Sequence, residues 1–233
     1  MTSPSATEVQ ALFNRIAPVY DQLNTILSLG QHRIWKKMAV KWSQVEPGNI
    51  ALDLCCGSGD LAEMLAQRVG PMGRVYGVDF SCNLLEVARE RLAGSPVGQR
   101  IQWQQGDALA LEFPDQYFDA ATLGYGLRNV GNIPRCLSEL HRVLKPQAYA
   151  AILDLHRPSS EVVRGFQQWY LDTVVVPAAA RLGFTEEYAY LAPSLERFPT
   201  GPEQEALAKE AGFRRATHYT LAVGMMGCLV VQA

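Results

Sequence analysis

The sequence has no apolar run near the roughly twenty residues that a bilayer-spanning helix needs; its most apolar stretches, Val174–Ala180 and Leu221–Val231, reach only about half of that. It has no block of like charge. Its 21 basic and 23 acidic side chains are scattered, for a net charge of −2, so no electrostatic footprint for nucleic acid or an acidic membrane surface is present. Cysteine is sparse and odd in number: Cys55, Cys56, Cys82, Cys136 and Cys228, with no pair at the two-residue spacing of a zinc knuckle or redox centre. No metal is expected, and reduced thiols of a cytoplasmic-type compartment are the simplest expectation. Met1 to Gln10 lacks the apolar core of a secretory signal. Repeats, low-complexity tracts and an interdomain linker are missing too. What remains, 48% hydrophobic against 19% charged residues, reads as a soluble globular chain able to bury its own core.

Periodicity organises that chain. Val9, Leu12, Phe13, Ile16, Tyr20 and Leu23 recur at three- and four-residue spacing, one helical stripe interrupted at Pro18. A second helix is predicted over His32–Trp42. The run 49–55 reads as a strand, Gly57-Ser-Gly59 as a turn, and Leu61 and Leu65 as the start of a helix. Strands are then predicted at 74–79, 101–104, 118–123 and 149–154, with helices at 82–93 and 133–144. This alternation predicts an α/β fold with a mostly parallel, Rossmann-like sheet covered on both faces. After Pro158 the rhythm breaks into a stretch holding Phe166, Trp169, Tyr170, Phe184, Tyr188 and Tyr190, suited equally to a channel lining or to plain core. Thr200-Gly-Pro-Glu203 predicts a capping box closed by Gly212, and strands at 217–222 and 227–232 flank Gly224 as an antiparallel hairpin. One domain, 1–233, is expected, with a helical lid over about 8–45 and an insertion over about 158–200.

Asp53-Leu-Cys-Cys-Gly57-Ser-Gly59 carries the chemistry. Glycines at the mouth of a first parallel strand let the backbone approach a ligand, and Asp79, ending the next strand, can accept both hydroxyls of a ribose. Gly57-x-Gly59-x-x-Ala62 also satisfies the looser dinucleotide fingerprint, so an NAD-linked oxidoreductase stays open on the turn alone. Two further acids favour another ligand. Asp53, four residues before Gly57, suits an ammonium better than a pyrophosphate, and Asp107 in Gly106-Asp-Ala108 suits an exocyclic adenine amine. Three carboxylates around an adenosine that carries an amino acid point to S-adenosylmethionine.

Tyr20-Asp21-x-x-Asn24-x-x-x-Ser28-x-x-x-His32-x-x-Trp35 resembles the N-terminal signature of the ubiquinone/menaquinone C-methyltransferase family. Gly126-Leu-Arg-Asn129, Arg142-Val-Leu-Lys-Pro146 and Tyr188-x-Tyr190-Leu-x-x-Ser194 resemble its later motifs, and the likeness runs from about Phe13 to Val231. The segments 169–177 and 224–227 look like the branch from oxygenic phototrophs that methylates demethylphylloquinol. The resemblance implies C-methylation of a prenylated or phytylated naphthoquinol, with demethylmenaquinol or a benzoquinol as the alternative and a non-catalytic quinone carrier as the rival outside enzymes. Cofactor contacts carried over by it fall on Ser58, Asp79, Asp107, Ala108 and Gly124, to which the shared glycine turn adds Asp53, Gly57 and Gly59.

It also implies a catalytic set. Arg128 would hold a developing quinolate oxygen, since a guanidinium stays charged and is a poor base. Asn129 would orient the same oxygen. His32 is the candidate general base, with packing beside Trp35 as its structural alternative. Tyr20 and Asp21 would close a lid that excludes water. Four positions depart from the family pattern: Cys55 stands where glycine is usual, Gln147-Ala148 replace a glycine pair, and His156 is extra. A long-tailed substrate implies transient membrane-surface contact, expected through the helix at Val9–Leu23. Monomer and homodimer both stay open.

Overall fold

The computed structural model describes residues 6–17, 25, 28, 30–158, 160–181 and 191–233. Seven strands form one sheet: β1 (Ile50–Leu54), β2 (Arg74–Asp79), β3 (Ile101–Gln105), β4 (Phe118–Gly124), β5 (Leu144–Leu155), β6 (Arg215–Leu221) and β7 (Met226–Gln232). Their order is β3-β2-β1-β4-β5-β7-β6. The first five run parallel, and β7 enters antiparallel between β5 and β6. The chain leaves β1 in one direction to build β2 and β3, then returns to its other side for β4. That reversal opens a crevice beyond the carboxyl ends of β1 and β4, where open α/β sheets bind ligands.

The central strands β1 and β4 and the second half of β5 read as nearly unbroken apolar runs because both faces are covered. On one face α2 (His32–Trp42) and α3 (Asp60–Val69) bring Ala39, Val40, Leu61, Leu65 and Val69 against Ala51, Val75, Ala120 and Ala151. On the other, α5 (Ile133–Val143) and α9 (Gly201–Glu210) bring Leu137, Leu140 and Ala208 against Leu52, Leu54, Leu123 and Ile152. Ala51 and Leu52 thus point to opposite layers, as the two-residue period of a strand requires. Local chemistry sets the helix starts. The Ser81 side chain accepts from the Leu84 N–H to cap α4 (Cys82–Leu92), and Asn132 accepts from Arg135 N–H to cap α5. At α9 the predicted box forms, Glu203 accepting from the Thr200 amide at 2.7 Å.

Strand β5 begins five residues before the predicted 149. Phe118 already pairs with Leu144, and the extra length is absorbed by a bulge at Gln147, whose φ is +69°. Helix α1 (Ala6–Ile16) turns Val9 and Ile16 into the core. Beyond β5 come α6 (Glu161–Tyr170), a π-helical turn over Leu171–Val175, α7 (Val176–Arg181) and α8 (Leu191–Arg197). Phe184, Tyr188 and Tyr190 lie outside the described residues. Phe166 and Trp169 are exposed with ring centroids 5.7 Å apart, so this pair neither fills the core nor lines an enclosed channel. Among the described residues no helix is long and apolar enough to cross a membrane.

Candidate active site

Leu54, Asp79 and Gly124 end β1, β2 and β4, and Gly106-Asp107 follows β3. All five line one cavity of about 880 Å³, counted to its open mouth. Small-molecule sites occupy roughly 300–1,000 Å³. Val9 and Phe13 of α1 form one wall. That helix is fastened by Gln10 Nε2 donating to the Phe80 carbonyl at 2.6 Å, Ser81 Oγ to Asn14 Oδ1 at 2.6 Å, and Asn83 Nδ2 to the Asn14 carbonyl at 3.1 Å.

The glycine turn is shaped by left-handed backbone at Cys55 (φ +55°), Gly57 (φ +54°) and Gly59 (φ +87°). A side chain in that region costs of order 1–3 kcal/mol, and Cys55 bears it. Space for it comes from Gly126, where a Cβ would sit 2.4 Å from the Cys55 Cβ. Burial pushes the Cys55 and Cys56 thiols up, which removes both as thiolate nucleophiles near neutral pH. Gly59 borders Trp103 rather than the cavity; a Cβ there would stand 2.5 Å from the indole. At Gly124 a Cβ would meet Leu61 Cδ1 at 2.6 Å, so bare backbone faces the cavity there.

The acids differ in what holds them. Asp79 accepts from the Gly57 N–H at 2.8 Å and the Ser81 N–H at 2.9 Å, which ties the turn to the end of β2. Burial raises its pKa against those amides. Asp53 is wholly buried (0% exposed) and does not line the cavity; Thr122 donates to Oδ1 at 2.8 Å, and Oδ2 has no hydrogen-bond partner among the described residues. Burial raises its carboxyl to about 7, with the Thr122 hydroxyl, the Ala62 amide and the charge of Lys36 pulling the other way. Asp107 is exposed at the rim and accepts from Leu109 N–H at 2.9 Å, and Ala108 is buried beside it.

The structure therefore brings Gly57, Asp79, Asp107, Ala108, Gly124 and Asn129 to one cavity wall. Ser58 lies elsewhere. It is buried in a smaller pocket of about 270 Å³ behind the turn, which shares Cys55, Gly124 and Tyr125 with the large cavity. Asn129 donates to the Tyr125 carbonyl at 3.1 Å. Arg128 does not line the cavity, although Tyr125, Gly126 and Asn129 around it do. Its Nη1 donates to Asp154 and, at 3.0 Å, to the Tyr125 carbonyl, and its backbone N–H donates to Asp154 Oδ2 at 3.1 Å. The two side chains are 9% and 4% exposed. His32 is buried with Nδ1 2.7 Å from Ser28 Oγ and borders neither pocket. Tyr20 and Asp21 lie outside the described residues. His156 packs against His218, ring centroids 4.9 Å apart, away from both pockets.

Sequence reasoning passed over Asp154, which fixes Arg128, and Lys36, which lines the smaller pocket. One signal for Lys36 was present. It falls four residues after His32 and three before Ala39, on the buried stripe of α2.

The family model described as "ubiE/COQ5 methyltransferase family" matches residues 1–231. A relative from Nostoc punctiforme, named 2-phytyl-1,4-naphtoquinone methyltransferase, is 66% identical over 224 residues, covering 96% of this chain and 97% of its own. A chloroplastic relative from Arabidopsis thaliana, named 2-phytyl-1,4-beta-naphthoquinone methyltransferase, is 51% identical over 227 residues, covering 97% and 87%. Among solved structures, a SAM-dependent methyltransferase from Aquifex aeolicus superposes with a TM-score of 0.64 at 19% identity, covering 91% of this chain and 96% of that one.

Proposed function

The chain belongs to the ubiE/COQ5 methyltransferase family, and from that premise we propose that this S-adenosylmethionine-dependent enzyme methylates a ring carbon of a phytylated 1,4-naphthoquinol, converting demethylphylloquinol to phylloquinol. The substrate class follows the names of its relatives. The observation that carries the donor assignment is the set of acids at three neighbouring strand ends, Asp53, Asp79 and Asp107.

The residues fit that donor. The unpartnered, buried Oδ2 of Asp53 suits an α-ammonium. Asp79 keeps lone pairs for ribose hydroxyls beyond the two amides it already accepts. Asp107 and Ala108 suit the adenine, Gly124 offers bare backbone, and Gly57, Ser58 and Gly59 set the shape of the turn. When bound, S-adenosylmethionine supplies a sulfonium methyl group for in-line displacement by carbon, with reacting atoms about 3–3.5 Å apart. Val9 and Phe13 of α1 keep water from that side of the cavity.

A quinone ring is electron-poor, so the acceptor must be the reduced quinol with charge pushed from an oxygen onto the ring carbon. Arg128, locked by Asp154, does not border the cavity; we assign it to this oxygen through the turn 125–129, whose Tyr125 carbonyl it holds at 3.0 Å. Asn129, on the cavity wall, orients it. The His32 ring is engaged with Ser28 away from the cavity, which leaves the quinol proton to depart to solvent under the pull of Arg128.

An anaerobic assay with methyl-labelled donor tests this reading. Label is expected in reduced 2-phytyl-1,4-naphthoquinol at least ~10-fold faster than in a benzoquinol with the same tail, the discrimination a shaped pocket gives, and none in the oxidised quinone. Quinone binding with no transfer under reducing conditions would instead mark a carrier.

Each buried methylene contributes about 0.8 kcal/mol, so such a substrate stays in the bilayer and must be collected at its surface. Helix α1 is committed to the core and cavity, which moves the proposed membrane contact to α6, where Val162, Phe166 and Trp169 stand exposed on successive turns. Liposome flotation should show weak, reversible binding that Phe166→Ser with Trp169→Ser reduces. Binding that is indifferent to both substitutions removes α6 from this role.

A further inference from the structure

We propose that the smaller pocket behind the glycine turn receives the α-carboxylate of the methyl donor, with the Lys36 ammonium as its counter-charge; the proposal rests on the S-adenosylmethionine dependence stated above. An α-amino acid carries an ammonium and a carboxylate on one carbon, so it needs an acid and a base close together. The large cavity cannot supply the base. Among the described residues its lining includes Asp79 and Asp107 and no lysine or arginine. The smaller pocket has Lys36, Cys55, Ser58, Asp60 and Tyr125 on its walls, and it opens onto the same Cys55, Gly124 and Tyr125 that border the large cavity. A ligand with adenosine in the first thus reaches the second across Gly124, where no side chain intervenes.

Lys36 is built as a receptor rather than as a solvated helix charge. Its side chain is 6% exposed, and Nζ donates to Asp60 Oδ2 at 2.7 Å and sits 5.7 Å from the centre of the Tyr125 ring. An ammonium has three donors, and Asp60 takes one. Asp60 is itself held by a second cation, Arg91. Burial raises the Asp60 carboxyl, but Lys36 and Arg91 outweigh this and keep it near 2. Arg91 also meets Glu63 at 3.5 Å, so the four charges balance, and what the cluster offers an incoming anion is the two remaining N–H donors of a buried ammonium. Lys36 is also close enough to Asp53 for its charge to act on that carboxyl. The buried Ser58 lies on the same wall and supplies a hydroxyl for the second carboxylate oxygen.

Calorimetric titration separates this role from a structural one. S-adenosylhomocysteine carries the amino-acid tail, and 5′-methylthioadenosine keeps the adenosine and sulfur without it. Lys36→Met is expected to weaken S-adenosylhomocysteine about 10- to 100-fold, the worth of a buried charge-assisted hydrogen bond, and to leave 5′-methylthioadenosine within twofold. Equal weakening of both, or of neither, overturns the proposal. The unaltered protein gives a second reading that does not depend on a variant folding. The decarboxylated analogue of S-adenosylhomocysteine, which keeps the ammonium, should bind it about 10- to 100-fold more weakly than the parent, and equal affinity overturns the proposal. Parent affinity with no loss in either comparison leaves the donor assignment standing and removes Lys36 from it. Failure of the unaltered protein to bind S-adenosylhomocysteine at all overturns both.

Discussion

Asp53→Asn should raise the melting temperature of the ligand-free protein and, in the same variant, lower S-adenosylhomocysteine affinity at least ~100-fold. The two effects share one cause. Asp53 is fully buried, with one oxygen unpartnered, and burial lifts its carboxyl from 3.8 to about 7. Because the folded-state pKa is the higher one, the folded protein binds this proton more tightly than the unfolded chain does. The contribution of Asp53 to stability is therefore highest below about pH 4, falls as the pH rises toward 7, and levels off above it. The cost of keeping the charge above pH 7 is about 4 kcal/mol. An asparagine keeps the acceptor for Thr122 and discards the charge, at the expense of burying an amide worth ~1–3 kcal/mol if unpaired. The net gain corresponds to a rise of about 3–8 °C at pH 8 for a chain of this size.

Cofactor affinity runs the opposite way. The α-ammonium needs the ionised carboxylate, so S-adenosylhomocysteine affinity of the unaltered protein should fall about tenfold per pH unit below 7. In Asp53→Asn it should be weak and flat across that range. Thermal melts and calorimetry at pH 5, 6, 7 and 8 read both quantities. A variant that is less stable at pH 8 would show that the buried charge is not what costs stability, and one that retains the pH slope of affinity would show that the cofactor does not address this acid.

Arg128→Ala should cut turnover at least ~100-fold, as removal of an oxyanion donor does, while cofactor affinity changes less than about threefold. The structure adds a second consequence. Asp154 is 4% exposed and loses its cation, and breaking a buried pair costs about 3–5 kcal/mol, or roughly 10 °C in melting temperature. A stability loss of that size could lower activity by loosening the turn at Tyr125 and Gly126, so the single variant does not separate the two effects. Arg128→Met combined with Asp154→Asn does. The neutral pair keeps an acceptor for one of the two backbone amides, that of residue 128 or of Leu155, and removes the stranded charge. Melting temperature should recover and turnover should stay low. Recovery of both would make Arg128 a brace for the turn and nothing more.

The fold was legible because the signals were local. The central parallel strands β1 and β4 are buried on both faces and so appear as short apolar runs, and three helix starts carry their own caps, at Ser81, Asn132 and Thr200. The acids of the site were legible for a related reason: a strand ends where its apolar run ends, and Asp79 and the Gly106-Asp107 pair stand there. What escaped depends on partners far along the chain. Lys36 meets Asp60 across 24 residues and Arg128 meets Asp154 across 26. On a sequence each charge looks like a solvated surface group, and nothing nearby reveals that it is buried. Helix α1 shows the same limit. Its apolar stripe is visible, but the stripe alone cannot distinguish a membrane from the protein's own cavity, which Val9 and Phe13 line.

The left-handed Cys55 and the bare Gly126 opposite it have a consequence for how such chains change over generations. Any residue with a Cβ at 126 collides with the Cβ at 55, whereas glycine at 55 relieves both that collision and the torsional penalty. The two positions are epistatic, and the order of mutation matters: a lineage with cysteine at 55 must first revert it to glycine before alanine at 126 becomes tolerable, and the reverse route is closed.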